Sequence, residues 1–246
     1  TQDSSSAASD VYKRQMKKFV NVFISFQLMK ALVLFSGGLD STVLATQMKR
    51  DAEETRLLSI NYGQRHAKEL EHSQRVAKHL DLPHEILNLS QLGAILGGSS
   101  LTDKSLALPE GHYAEESMKS TVVPNRNMIL LALAGGHALS LGFDTIAYAA
   151  HAGDHTIYPD CRPAFADAMD RAFGLADWNT LSLHRPFVDM TKSDLVSLGT
   201  ELDAPLHLTW SCYAGNEIHC GKCGTCVERK EAFALANVPD PTKYEE

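Results

Sequence analysis

Short apolar runs alternate with longer segments of mixed polarity from residue 31 onward. The runs are rich in branched and aromatic side chains, as is typical of β-strands that are covered on both faces. The alternation predicts a parallel sheet with helices on both sides, that is, a Rossmann-like doubly wound α/β fold. The predicted strands are Ala31–Phe35, Arg56–Asn61, His84–Asn88, Asp144–Ala150 and Leu181–Arg185.

Three of the segments between the strands have a helical spacing of apolar positions. The first, Thr42–Arg50, follows the first strand, and the second, Gln64–Leu80, is strongly polar with one apolar face. The third, Asn127–Leu141, is apolar nearly all round and is expected to be buried. Residues Gly97–Val123 carry Gly, Ser, Pro and charge with little periodicity, which predicts a long binding loop or lid.

A glycine turn, Ser36-Gly37-Gly38-Leu39-Asp40-Ser41, joins the first strand to the first helix. Adjacent glycines let the backbone approach a bound group, hydroxyls can donate, and the first N–H groups of the helix face an anion. The turn therefore suits a pyrophosphate. It matches neither G-x-x-x-x-G-K-[ST] nor G-x-G-x-x-G, which argues against the common kinase and dinucleotide sites. It resembles the S-G-G-x-D-S loop of the N-type ATP pyrophosphatases, whereas an ordinary glycine turn would explain the glycines alone.

Composition narrows the class of partner. The chain has 246 residues, 44% of them apolar, which is enough for one large core with or without a small appendage. Its formal charge is −7, so a basic face for a nucleic-acid backbone is not indicated. A small-molecule substrate is the better hypothesis, with no nucleic-acid or membrane partner.

The first part of the chain is set apart from this pattern. Residues 1–15 are rich in Ser and Ala and have no apolar periodicity, so we expect residues 1–29 to be a disordered or non-native leader. The apolar stretch at residues 19–29 imitates a signal peptide, but polar residues interrupt it and no small-residue cleavage site follows. We expect the domain to begin at Lys30 and the protein to be cytoplasmic.

Four of the five cysteines form a compact pattern, Cys212-x7-Cys220-x2-Cys223-x2-Cys226. Four thiolates at these short spacings can close a tetrahedron around Zn²⁺, and no open position remains, so the metal would be structural. A redox C-x-x-C pair is the alternative, and His219 is a possible substitute ligand. The fifth cysteine, Cys161, is expected to be a small buried residue.

Five motifs in their order resemble the 7-cyano-7-deazaguanine synthase family of queuosine biosynthesis. They are Phe35–Thr42, Tyr62–His66, Val123–Asn127, Tyr158–Pro163 and the four-cysteine knuckle. At position 125 the family pattern has Gly as often as the Asn found in this chain. The resemblance implies an adenine nucleotide alpha hydrolase-like fold, with an ATP pyrophosphatase domain at residues 30–205 and a zinc-binding region at 206–246.

The same resemblance implies an ATP-dependent carbon–nitrogen ligase that acts on 7-carboxy-7-deazaguanine and ammonia. It also implies one structural Zn²⁺ per chain, ATP with Mg²⁺ as a substrate, and a homodimer. Free ammonium is the expected nitrogen source. The residues expected to bind ATP are Phe35, Ser36, Gly37, Gly38, Leu39, Asp40, Ser41, Thr42, Val43, Leu44 and Ala45.

Three residues are candidates for the chemistry. Asp40 is a candidate Mg²⁺ ligand and is also well placed to interact favourably with the helix dipole. Arg126 could bind a phosphate or the substrate carboxylate, or be a surface arginine at the start of a helix. Lys192 resembles the lysine that approaches the phosphates in related pyrophosphatases, and a lysine in a first helical turn is otherwise unfavourable.

Recognition of the guanine-like ring is predicted for a loop that follows a strand. Its candidate substrate contacts are Asp154, Asp160 and Arg162, because a carboxylate can pair with the N1–H and 2-amino groups of such a ring. His66 and His151 are expected near the site without an assigned role.

Other functions remain open at this stage. Enzymes that thiolate tRNA also combine an S-G-G-x-D-S loop with cysteines, but the acidic charge of this chain offers no broad surface for tRNA. A zinc-ribbon binding module with a non-catalytic nucleotide domain is a second alternative, which the intact turn argues against. GMP and NAD synthetases share the turn but lack the four-cysteine tail.

Overall fold

The structure is a computed structural model that describes residues 29–65, 68–103, 105–112 and 116–245. The predicted leader, apart from Met29, and His66 lie outside the described residues. The strands are β1 (Lys30–Leu34), β2 (Glu54–Asn61), β3 (His84–Asn88), β4 (Thr145–Ala147) and β5 (Ser182–His184). The α-helices are α1 (Leu39–Asp51), α2 (Lys68–Leu80), α3 (Leu92–Ile95), α4 (Arg126–Ser140), α5 (Pro163–Ala176), α6 (Lys192–Glu201) and α7 (Gly224–Leu235). Short 3₁₀ helices lie at Glu116–Thr121, Ala152–Thr156, Pro159–Cys161 and Leu206–Leu208.

The five strands form one parallel sheet in the order β3-β2-β1-β4-β5. The order reverses between β1 and β4, because the chain crosses from one side of β1 to the other. In sheets of this kind, ligands bind outside the carboxyl ends of the strands at that reversal. The topology therefore places the glycine turn, which follows β1, at the expected binding position.

Each face of the sheet has its own apolar core, as a doubly wound fold requires. On one face, α4 and α5 pack over strand residues such as Leu32 and Ile146. On the other, α1, α2, α6 and α7 cover residues that include Val33 and Leu57. This arrangement confirms the predicted α/β class. Within the described part of the chain, no helix is long and apolar enough to cross a membrane.

The predicted strands are centred correctly, but three of them end too late. Phe35, residues 148–150 and Arg185 lie beyond the ends of β1, β4 and β5. Phe35 and residues 148–150 are apolar although they lie beyond the strands, since they border the binding cleft, whereas Arg185 is charged and partly exposed. The predicted helix Gln64–Leu80 begins at Lys68, because the chain turns at Gly63 with φ +85° and the Gln64 side chain accepts the N–H of Tyr62.

The predicted loop Gly97–Val123 contains one 3₁₀ helix, and Lys104 and residues 113–115 of it lie outside the described residues. The predicted burial of Asn127–Leu141 holds for the face of α4 that meets the sheet. Met128, on the other side of α4, is 48% exposed. An almost continuous apolar pattern thus overstated how much of this helix is covered.

Arg229 ties the C-terminal helix to the rest of the fold. Its side chain is fully buried, and its guanidinium donates to Asp240 Oδ1, Thr209 Oγ1 and the Leu206 carbonyl. A buried guanidinium is tolerated only when its N–H groups are paired in this way. The contacts hold α7 and the C-terminal segment against the residues that lead into the cysteine cluster.

Candidate active site

A cleft of about 260 Å³ opens at the carboxyl ends of β1 and β4. Its wall combines the glycine turn with residues from α2, α4, α6 and α7. The lining residues are Leu34, Phe35, Ser36, Gly38, Leu39, Asp40, Ser41, Ile60, Tyr62, Gln64, Glu69, Leu70, Leu101, Arg126, Asn127, Leu130, Tyr148, Ala149, Ala150, Asp154, Cys161, Lys192, Trp210, Ser211, Tyr213, Thr225 and Glu228.

The glycine turn is held by a small hydroxyl network. Ser36 Oγ and Ser41 Oγ lie 3.1 Å apart, and the Gly38 N–H donates to Ser36 Oγ. The Ser41 hydroxyl also donates to the Gly38 carbonyl. Since α1 starts at Leu39, the first N–H groups of the helix lie beside these hydroxyls. This arrangement of donors is suited to a phosphate group.

Gly37 makes the turn possible, which gives a stability prediction. Its φ is +80°, and a Cβ there would lie 2.6 Å from the backbone nitrogen of Ser73 in α2. Gly37→Ala is therefore expected to lower the free energy of unfolding by at least ~2 kcal/mol, because neither backbone can move away cheaply. The matched control is Gly136→Ala in α4, where a Cβ meets nothing within 4 Å.

The control should stabilise the protein by about 0.5–1 kcal/mol, since alanine is the better helix former. Urea unfolding of both variants measures the difference. A Gly37→Ala protein with the wild-type unfolding midpoint would contradict the close approach of the turn to α2.

A cluster of opposite charges lies next to the turn. Lys192 Nζ is 2.6 Å from Asp40 Oδ2 and 3.4 Å from Glu228 Oε2. Burial alone would raise the pKa of Asp40, but the neighbouring positive groups, Lys192 foremost, together outweigh burial and lower that pKa. Asp40 and Glu228 likewise hold the pKa of Lys192 above its usual range, despite burial. Asp40 and Lys192 are thus both ionised at neutral pH.

His151 adds a nitrogen ligand to this cluster. Its Nδ1 accepts the Gly153 N–H, and its Nε2 lies 3.3 Å from Lys192 Nζ. That Nε2 lies 3.6 Å from Asp154 Oδ2 and 3.9 Å from oxygens of both Asp40 and Glu228. Three carboxyl groups therefore surround one histidine and one lysine. Burial raises the pKa of Glu228, with the charge of Lys192 acting in the opposite direction.

Only part of the segment expected to bind ATP lines the cleft. Phe35, Ser36, Gly38, Leu39, Asp40 and Ser41 do so. Val43, Leu44 and Ala45 are fully buried in the core beneath α1, and Thr42 is also fully buried. Val43, Leu44 and Ala45 belong to the apolar core, and the buried Thr42 Oγ1 has no hydrogen-bond partner among the described residues, so ATP binding by these four residues stays a prediction. Gly37 packs against α2 and accepts the Trp210 N–H through its carbonyl.

Arg126 is the first residue of α4 and lines the cleft. Its Nε donates to Asn127 Oδ1 at 3.3 Å. The preceding residue, Asn125, caps the helix in the left-handed region with φ +53°. Glycine and asparagine are the residues that adopt this conformation most readily, which accounts for their interchange at this position in the family pattern.

The three candidate substrate contacts separate in the structure. Asp154 lines the cleft beside His151. Asp160 lies outside the lining, where its carboxylate accepts the Asn127 N–H at the start of α4. Arg162 is exposed, and its Nε donates to the His155 carbonyl. The assignment of Asp160 and Arg162 to substrate therefore stays a prediction without support from their position.

Glu228 and Glu69 line the cleft, although neither belongs to a motif that predicts a functional site. For Glu228, the one signal in the sequence is a charged residue two positions after the last cysteine. Glu69 sits in a run of charged residues on a polar helix, so nothing in the pattern distinguishes it from its exposed neighbours. Burial raises the pKa of Glu69 to about 7, with the charge of Arg126 acting in the opposite direction.

The four predicted metal ligands converge. The sulfur atoms of Cys212, Cys220, Cys223 and Cys226 all lie within 4.8 Å of one another, and all four residues are buried. Four sulfurs in a tetrahedral zinc site are separated by about 3.8 Å, so this set fits such a metal. Backbone N–H groups of Ala214, Cys220 and Cys223 donate to sulfurs of the cluster. His219 is occupied elsewhere, because its Nε2 accepts the Ser211 N–H.

The cysteine cluster forms part of the wall of the cleft. Ser211 and Tyr213 flank Cys212, while Thr225 and Glu228 belong to α7, whose N-cap is Cys223. Residues on both sides of the proposed domain boundary, between positions 205 and 206, therefore line the same cleft. Cys161 is buried as expected, and its sulfur accepts from Asn127 Nδ2.

Known proteins match the chain over most of its length. A protein of Allorhizobium ampelinum named 7-cyano-7-deazaguanine synthase is 53% identical over 220 residues, which are 89% of this chain and 93% of that protein. The protein of the same name from Rhizobium meliloti is 51% identical over 220 residues, again 89% and 93% of the two chains.

Among solved structures, the NMN synthetase from Francisella tularensis has a TM-score of 0.52 at 13% identity, covering 92% of this chain and 87% of its own. At that identity, the similarity concerns the fold alone. A family model described as "Queuosine biosynthesis protein QueC" matches residues 30–237. The resemblance inferred from the motifs is confirmed, and the chain belongs to the queuosine biosynthesis protein QueC family.

Proposed function

We propose that this protein is an ATP-dependent carbon–nitrogen ligase that converts 7-carboxy-7-deazaguanine and ammonia to 7-cyano-7-deazaguanine. The observation that carries the proposal is the cleft, in which the glycine turn meets the Asp40–Lys192–Glu228 cluster. The proposed substrate follows from the names of relatives that are 51–53% identical to this chain, which are 7-cyano-7-deazaguanine synthases. Their names do not favour the alternative of a tRNA-thiolating enzyme.

The chemistry explains why such a cleft is needed. A carboxylate is a poor electrophile, so its oxygen first attacks the α-phosphorus of ATP, the bond to pyrophosphate breaks, and an acyl adenylate forms. Ammonia then displaces AMP and gives the amide. A second ATP adenylates the amide oxygen, and loss of AMP and two protons leaves the nitrile. Each round concentrates negative charge on the phosphates, and preorganised cations and N–H groups stabilise that charge.

Residues of the chain take the following roles in this proposal. The turn from Ser36 to Ser41 holds the phosphates through its N–H groups and hydroxyls. Lys192 places an ammonium beside the leaving pyrophosphate, and Asp40 keeps that ammonium charged and oriented. Arg126 contacts either a phosphate or the substrate carboxylate. Asp154 positions His151 near the reacting groups.

Two metal ions fit the donor sets. Asp40 and Glu228 are the candidates to hold Mg²⁺, which would neutralise phosphate charge, and the buried Asp40 Oδ1 has no hydrogen-bond partner among the described residues. The four thiols are proposed to hold one structural Zn²⁺. We further propose a cytoplasmic homodimer, since free thiols persist in reducing compartments and the family resemblance implies a dimer.

The test is a mass-spectrometric assay of the metal-loaded protein with ATP, Mg²⁺, ammonium and 7-carboxy-7-deazaguanine. Nitrile formation with about two AMP and two pyrophosphate per nitrile is the expected result. An unchanged base in the presence of folded, metal-loaded protein would reject the proposed substrate.

A further inference from the structure

Glu69 is a carboxylate in the cleft that the mechanism above does not use. It lies on the first turns of α2 and shares the cleft wall with Tyr62 and Arg126. Within the described residues it has neither a hydrogen bond nor an ion pair at contact distance. Burial raises its pKa to about 7, and the nearby charge of Arg126 only partly offsets this effect. Such a group costs folding free energy unless a ligand pairs with it.

The other carboxylates near the cleft already have protein partners. Asp40 and Glu228 pair with Lys192, and Asp154 faces His151 at 3.6 Å. Asp160 accepts an N–H of α4 and lies outside the lining. Among the carboxylates of the described cleft wall, Glu69 is thus the one left for a bound molecule.

A second polar group of the cleft also lacks a partner. Tyr148 Oη is buried without a hydrogen bond among the described residues, although the ring lines the cleft. Buried polar atoms in native proteins are nearly always satisfied. Tyr148 Oη is closed off from solvent, so the requirement for a ligand rests on the carboxylate of Glu69, which calls for hydrogen-bond donors.

We propose that Glu69 determines the specificity for the substrate base, by accepting hydrogen bonds from its N1–H and 2-amino groups through the two carboxylate oxygens. This inference rests on the proposed function. Two adjacent donors are the feature that a guanine-type edge offers and an adenine edge does not, since adenine presents one donor and one acceptor there. Charge-assisted pairs of this geometry discriminate strongly against an analogue that lacks one donor.

The experiment is a titration of two bases into the full-length, metal-loaded protein with Mg²⁺ and saturating α,β-methylene-ATP, which prevents turnover. One base is 7-carboxy-7-deazaguanine and the other is the same compound without its 2-amino group. The variants are Glu69→Gln and the matched control Glu71→Gln, which alters an exposed residue of the same helix.

For wild type and for Glu71→Gln, removal of the 2-amino group is expected to weaken binding about 10- to 100-fold. Glu69→Gln should bind the parent base about 10- to 100-fold more weakly, and removal of the 2-amino group should then cost less than about threefold. Its affinity for the ATP analogue should not change. Its melting temperature at pH 8 should equal or exceed that of wild type, because a partly buried carboxylate without a hydrogen bond has been removed.

The pH dependence gives a second readout. Glu69 must be ionised to accept both hydrogen bonds, so base affinity should rise about tenfold from pH 6 to pH 8 as its proton is lost. Among the described residues, the groups that interact with the charge of Glu69 are Arg126 from α4 and Tyr62 after β2, and neither changes charge in this range. Glu69→Gln should show no such rise.

Three results would overturn the inference. The first is an equal cost of 2-amino removal in Glu69→Gln and wild type, and the second is a loss of ATP-analogue affinity in place of base affinity. The third is failure of the wild-type protein to bind the parent base. That result differs from the first two because it rejects the proposed substrate as well as the role of Glu69.

Discussion

Asp40→Asn is expected to reduce the rate of AMP release with 7-carboxy-7-deazaguanine about 10³-fold or more, while the protein remains folded. Asp40 Oδ2 lies 2.6 Å from Lys192 Nζ, and its Oδ1 has no partner among the described residues. The amide removes the negative charge that orients Lys192 and that would bind Mg²⁺. Loss of one preorganised electrostatic contact lowers kcat about 10²- to 10³-fold, and Asp40→Asn removes two such contacts.

The fold should survive because Lys192 keeps Glu228 as a counter-charge at 3.4 Å. The matched control is Asp51→Asn at the other end of α1, where the carboxylate pairs with Arg50 at the surface. Surface pairs contribute about 0–1 kcal/mol, so the control should retain activity and stability. Quenched-flow release of AMP and circular dichroism of both variants measure the effects. An Asp40→Asn enzyme within tenfold of wild type would remove Asp40 from the proposed chemistry.

Cys223→Ser is expected to lose the bound metal and to unfold at a much lower temperature. Its sulfur belongs to the four-thiol cluster, and the residue is the N-cap of α7. Binding of a structural zinc ion contributes about 10–16 kcal/mol in small domains, so loss of one ligand in four should exceed the few kcal/mol typical of point mutations. Activity should fall as well, because Thr225 and Glu228 on α7 line the cleft.

Cys161→Ser is the matched control for the cysteine substitution. Cys161 is also buried, but it lies outside the cluster and contacts Asn127. It should keep one zinc per chain by elemental analysis, with a modest change in melting temperature. Equal metal content and equal melting temperatures in wild type and Cys223→Ser would reject a structural metal at this site.

Short-range patterns carried most of the correct predictions. The strand, glycine turn and helix around Gly37 and Gly38 are contiguous, so their geometry follows from local backbone preferences. The cysteine knuckle is local in the same sense, since its ligands lie within fifteen positions of one another. Strand centres were also predicted, because a strand covered on both faces is continuously apolar.

Strand ends were predicted less well for a physical reason. Residues 148–150 are apolar because they border a cleft, and the hydrophobic pattern does not distinguish that environment from the interior of a sheet. Helix α2 also begins later than predicted, since a left-handed glycine and a side-chain cap reshape the turn before it.

The sequence by itself determined the fold class, the glycine turn after the first strand and the cluster of four cysteines, because each rests on neighbouring residues or on repeated periodicity. Only the tertiary structure decided which distant charges meet. The crossover between β1 and β4 brings Lys192 and Glu228 to Asp40, and the same packing occupies Asp160 at a helix start. Among the described residues, the same packing leaves the Glu69 carboxylate in the cleft wall with the charge of Arg126 nearby but no hydrogen bond, since the side chains that face a residue depend on how helices pack.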